Sequence, residues 1–314
     1  MKYFTILVYG SGEAQSGCAT LSAIQLELTE RGLELLRLPI RVSMAWIAAL
    51  LFLVFGVQAV QTQDDPAALA GGEANPVFNI AHFAPFADDV LDTAVTVRVN
   101  GRDEIAVNAI VSEIAAKVAA RAEVFVADIS SVSNCAALIE AVEARVGRID
   151  ILVNNAGICP TLLFGQAMED DWDALMNVNA RSRYFLMQFV CPILKRQGGG
   201  RIINLASAAG RGGSMLNASI HSGTRAAILM FSKSVAREVA ADGILVNCVA
   251  PGPIKTDMQR NLPADRLRAS QEQFPLKRFG EPEEVAAVIA FLASDECSFC
   301  TGATFDVNGG WIML

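Results

Sequence analysis

Ile149-Asp150-Ile151-Leu152-Val153-Asn154-Asn155-Ala156-Gly157 decides the fold. A short apolar run rich in β-branched residues stops abruptly at two Asn and a Gly, a strand running into a turn. Outward from it the same pattern repeats. Val124-Phe125-Val126-Ala127 precedes it, and Arg201-Ile202-Ile203-Asn204-Leu205 and Ile244-Leu245-Val246-Asn247-Cys248-Val249 follow. These are continuous apolar stretches rather than alternating ones, which suits strands covered on both faces. Between them lie helical patterns at 136–146, 171–197 and 225–241. Strand and helix alternating in this way predict an α/β protein with a doubly wound, Rossmann-like parallel sheet over 97–314.

The turns carry further residues of note. Asp128 follows the first of these strands, and Asn179 sits in Val178-Asn179-Ala180. Ser207 closes Ile203-Asn204-Leu205-Ala206-Ser207. Pro251-Gly252 precedes Thr256, and Thr301-Gly302-Ala303 and Asn308-Gly309-Gly310 lie near the carboxyl end of the sequence. Six such motifs in this order resemble the short-chain dehydrogenase/reductase family, its 3-oxoacyl-carrier-protein reductase-like branch in particular.

The resemblance implies an NADP- or NAD-dependent oxidoreductase acting on a small-molecule ketone or alcohol. Asp128 would contact the adenine ring. Asn154, Ala156 and Gly157 would border the cofactor, and Pro251, Gly252 and Thr256 would cradle the nicotinamide amide. Ser207 and Asn179 would be catalytic, the Ser bonding the substrate oxygen and the Asn anchoring a water. The family's proton donor is a Tyr whose pKa a nearby Lys lowers, and the same Lys holds the ribose hydroxyls. Here Phe231-Ser232-Lys233-Ser234 sets the register, and it puts His221 at the Tyr position and Arg225 at the Lys position. Arg225 keeps the cation for the ribose. His221 has a shorter reach than a phenol, and the Arg cation beside it disfavours its protonated form. The expectation is an impaired enzyme, with a catalytically inactive scaffold as the alternative. Helices 171–197 and 225–241 match those through which the family forms homo-oligomers.

The family also needs a strand, then Thr-Gly-x-x-x-Gly-x-Gly, then a helix, to seat the pyrophosphate. Only Gly10, Gly12 and Gly17, after Thr5-Ile6-Leu7-Val8-Tyr9, come near it, and their spacing differs. Arg102, in Asn100-Gly101-Arg102-Asp103, stands where the family often meets a 2′-phosphate.

The first third reads differently. Residues 1–38 form a β-α-β pattern whose opening resembles the sulfur-relay proteins of the DsrE type, with Glu34 to Leu38 as its second strand. Residues 39–96 are an apolar segment plus linker. Met44 to Val60 has the character of a secretory signal core with Val57 and Ala59 at cleavage-site positions, and its surroundings resemble the start of a secreted domain. At roughly 17 residues it is short for a membrane span. Either 4–38 supplies the first strand, helix and second strand of the sheet and 39–96 loops out, or the sheet lacks its first β-α unit.

A net charge of −8 argues against a nucleic-acid partner, because phosphate binding needs a basic face. Seven dispersed Cys suggest a reducing, cytoplasmic setting, and membrane association through 44–60 is the alternative. Cys297 and Cys300 form one Cys-x-x-Cys pair, and with only His82 and His221 for company no metal site is expected.

Overall fold

The structure is a computed structural model that describes residues 5–10, 95–102, 104–117, 121–160, 162–214, 218–255, 271–272 and 274–313. Seven strands form one sheet: β1 (Thr5–Gly10), β2 (Val95–Gly101), β3 (Arg121–Val126), β4 (Ile151–Asn154), β5 (Gly200–Leu205), β6 (Ile244–Pro251) and β7 (Thr304–Val307). Their order is β3-β2-β1-β4-β5-β6-β7. The main helices are α1 (Glu104–Lys117), α2 (Val132–Val146), α3 (Glu169–Leu175), α4 (Ser182–Arg196), the short α5 (Ala209–Gly212), α6 (Ser219–Val239) and α7 (Pro282–Ala293).

Register explains the continuous apolar runs. Leu152, Ile202 and Val246 pair across β4, β5 and β6. All three join one core cluster with Leu138 and Val142 of α2 and Leu186, Val190 and Leu194 of α4. Val153 and Ile203, one residue on, point to the other face. They are equally buried, although they lie outside that cluster. α7 packs on β5, β6 and β7 and buries Val285, Ile289 and Leu292. Both faces are therefore covered, as the sequence pattern required.

The α/β fold class stands, with one reversal inside it. β2–β3 and β4 through β7 pair in parallel, but β1 runs antiparallel to both its neighbours, β2 and β4. Thr5 pairs with Asn100 and Asn154, at the carboxyl ends of β2 and β4. Gly10 pairs with Val95, at the amino end of β2. The first strand thus takes the central slot expected of it, upside down. Among the described residues the next strand is Val95–Gly101. Glu34 to Leu38, proposed above as a second strand, lies outside the described residues, as do Met44 to Val60, Gly12 and Gly17. Among the described residues no helix is long and apolar enough to cross a membrane.

The expected helix 171–197 is divided. α3 passes into a π-helical segment, Met176–Arg181, before α4 begins. Such wide turns are rare and cluster at functional sites.

Candidate active site

Open parallel sheets bind ligands at the carboxyl ends of their strands. Asp128, Asn154, Ser207 and Pro251 all sit at or just past that edge, after β3, β4, β5 and β6. Asn154 Nδ2 donates to Asn204 Oδ1 at 2.8 Å, and Asn204 Nδ2 donates to Ser232 Oγ of α6 at 2.8 Å. A buried amide chain thus locks the ends of β4 and β5 to α6, and Asn154 Oδ1 is left without a donor.

Asn179 hangs in the π segment and is fully buried. Its Oδ1 accepts from Ile158 N at 2.8 Å, while its Nδ2 donates to Ile158 O at 2.9 Å and to Thr224 Oγ1 at 3.2 Å. The side chain is spent on fixing the loop just after Ala156 and Gly157 to α6. Thr224 in turn donates to His221 O at 2.7 Å.

His221 and Arg225 lie one helical turn apart on α6, so they share a face. Arg225 Nε donates to His221 Nε2 at 3.0 Å, and Arg225 Nη1 donates to Leu205 O at 2.8 Å, two residues before Ser207. A guanidinium has no lone pair to offer, so His221 Nε2 is the acceptor. The neutral ring then carries its proton on Nδ1, which is buried and has no partner. Burial first, then the Arg225 and Arg183 cations, pull the imidazole pKa down from 6.5 to about 2. His221 is a neutral N–H donor at any working pH.

Gly157 makes this packing fit. A Cβ there would strike Arg225 Nη2 and stand 3.1 Å from Asn179 Oδ1. Ser207 Oγ accepts from Ala209 N at 3.1 Å, which leaves its O–H free to point elsewhere. Gly252 has a packing reason of its own, since a Cβ would come within 2.8 Å of the Asn308 backbone. Asp128 Oδ1 accepts from Ser130 N at 3.0 Å, opening the turn into α2. Arg102 is exposed just past β2. Thr256 lies outside the described residues.

The structure adds a residue that the sequence did not single out. Arg183, in the first turn of α4, is 1% exposed. Its Nη1 donates to Asn179 O at 2.6 Å and Val178 O at 3.3 Å. Its Nη2 donates to Asn155 O at 3.3 Å and to Ala156 O. One guanidinium therefore ties the turn after β4 to the π segment that carries Asn179. Only its position in an otherwise apolar helical face, Leu186, Met187 and Val190 being its neighbours, could have pointed to it. Gly210 was missed as well: its Cα packs so closely on α6 that a Cβ would stand 2.7 Å from the Arg225 carbonyl carbon.

The nicotinamide end of a cofactor fits these residues, with Ser207 and Arg225 beside the edge and Gly157 giving Arg225 the room to lie there. Among the described residues the pyrophosphate end has no such counterpart. β1 exits at the opposite edge of the sheet, so Gly10 cannot open a phosphate-binding turn next to Asn154.

Comparison with known proteins places the molecule. The enoyl-(acyl carrier protein) reductase family model matches residues 86–312, and the chain belongs to this short-chain dehydrogenase/reductase family. Within it, the chain is 41% identical over 176 residues to 3-oxoacyl-[acyl-carrier-protein] reductase of Thermotoga maritima, covering 56% of this chain and 71% of the relative. It is 40% identical over 188 residues to acetoacetyl-CoA reductase of Shinella zoogloeoides, covering 60% of this chain and 78% of the relative. It is also 40% identical over 187 residues to 3-oxoacyl-[acyl-carrier-protein] reductase of Salmonella typhimurium, covering 60% and 76%.

Proposed function

We propose that the chain is an NADP- or NAD-dependent oxidoreductase that interconverts a small ketone and its alcohol, slowly, with His221 and Arg225 in place of Tyr and Lys. The observation that carries this reading is the buried Asn179–Thr224–His221–Arg225 network beside Ser207, at the carboxyl edge of a family sheet. The cofactor, when bound, supplies or takes the hydride. Ser207 Oγ and His221 Nδ1 donate hydrogen bonds to the substrate oxygen, and Arg225 holds the ribose hydroxyls. A neutral imidazole polarises a carbonyl but yields its proton reluctantly, which accounts for a slow reaction. Asp128 serves the adenine end, Asn154, Ala156 and Gly157 flank the cofactor, and Pro251, Gly252 and Thr256 close over the nicotinamide. The protein works in the cytoplasm as a homo-oligomer joined through α4 and α6, where Tyr184 and Met230 face outward.

The second reading is an inactive scaffold, favoured by the reversed β1. Titration of the intact chain with NADPH and NADH, followed by nucleotide fluorescence, separates the two. Saturable binding is expected. The double variant His221→Tyr with Arg225→Lys should then turn over faster by roughly two orders of magnitude, the lower end of what a well-placed general acid contributes. No binding by a folded sample would leave the scaffold.

A further inference from the structure

Arg183 and Arg225 are 1% and 8% exposed, and each meets only neutral partners. For Arg183 these are four backbone carbonyls; for Arg225 they are one carbonyl and an imidazole nitrogen. No ion pair among the described residues includes either one. Arg225 also bears on Arg183 as a like charge, and both bear on His221. Guanidinium does not shed its proton in a protein. Two cations therefore share one interior with no counter-charge, so the desolvation of both goes uncompensated by an opposite charge. Two donors in the same cluster are also idle, His221 Nδ1 and Arg183 Nε.

We propose that this corner holds the carboxylate of a short oxo acid, so that the substrate of the reaction proposed above is itself an anion. The proposal rests on that reading of the site. Ribose hydroxyls satisfy donors but bring no charge, so the cofactor alone leaves the pair unbalanced. A carboxylate supplies a counter-charge and accepts a charge-assisted hydrogen bond from Arg225 Nη2, whose Nε and Nη1 are already committed to His221 Nε2 and Leu205 O, and His221 Nδ1 is left to the ketone oxygen. The site is narrow, since Arg225 Nη2 already fills the space over Gly157. A two- or three-carbon acid head suits it better than a long thioester. Ser207, two residues beyond the Leu205 carbonyl that anchors Arg225, is then placed for the adjacent ketone oxygen.

The test is calorimetric titration of the intact chain, without cofactor, with pyruvate and acetoacetate, each beside its methyl ester and beside inorganic phosphate. One or both acids should bind at least tenfold more tightly than the ester and than phosphate. Arg225→Gln should abolish that preference and Arg225→Lys should keep it, with circular dichroism verifying that both variants are folded. Acid and ester binding alike, phosphate binding as well as the acids, or no acid binding would each overturn the proposal. The wild-type comparison decides the matter even if Arg225→Gln fails to fold. Nucleotide fluorescence, read separately, reports on the oxidoreductase reading: NADPH binding without acid preference sinks only the anion site.

Discussion

At the scale of single residues, His221 shows how burial beside two cations fixes a protonation state and one hydrogen bond fixes a tautomer. Folded, the ring stays neutral down to about pH 2; unfolded, it charges near 6.5. Between those values the unfolded chain binds the extra proton, so stability rises with pH across the window and is lost on acidification from about 6.5 downward. The loss approaches ~1.4 kcal/mol per pH unit for one buried group. Glu284, held down to about 2 chiefly by its hydrogen bond from Arg278, adds to the slope only below its ordinary 4.5. Urea unfolding of the wild type from pH 7 to 4.5 should therefore fall steadily, and His221→Phe should flatten that fall. An equal slope in the variant would mean that another group titrates. The position of His221 was legible from the register of the helix. Its tautomer was not, because the direction of the Arg225 Nε–H bond is a fact of side-chain geometry.

At the scale of elements, the site depends on close approaches that small residues permit. α5 and α6 touch backbone to backbone at Gly210, where a Cβ would stand 2.8 Å from Ala226 N and from Arg225 Cβ. Neither helix backbone can yield cheaply. Gly210→Ala should destabilise the chain by about 1–3 kcal/mol, the usual range for overpacking, and should move Arg225 as well. A lowered denaturation midpoint with reduced nucleotide binding is the expected pair of results; an unchanged midpoint would mean that the helices slide apart freely. The strand runs and the helix at 225–241 were readable from apolar period and length, and α6 merely starts earlier, at Ser219. The break at Met176–Arg181 was not readable, since no Gly or Pro marks it. It follows instead from what the segment must reach: Asn179 inward to Ile158, and Arg183 behind it to the turn after β4.

At the scale of the whole molecule, the reversed β1 joins two parallel halves. Leu7 pairs with Arg98 on one side and Leu152 on the other, so its backbone lies inside the ladder. Leu7→Pro removes an N–H where a central strand has none to spare. Hydrogen exchange should then show protection lost at β2 and β3 and largely kept from β4 to β7, which has its own core with α2 and α4. Loss of protection throughout would mean that the sheet folds as one unit. The sequence pattern of Thr5-Ile6-Leu7-Val8-Tyr9 indicated a strand, but alternation is the same read in either direction, so its sense was invisible.

That reversal also changes what kind of bond the first strand has with the rest of the protein. A strand wound in by a right-handed crossover runs parallel to its neighbours; β1 runs against both of its own, and backbone ladders on its two sides hold it. It is, in effect, a peptide ligand carried by its own receptor, and a free peptide of the sequence Thr5–Gly10 would compete with it for the groove between β2 and β4.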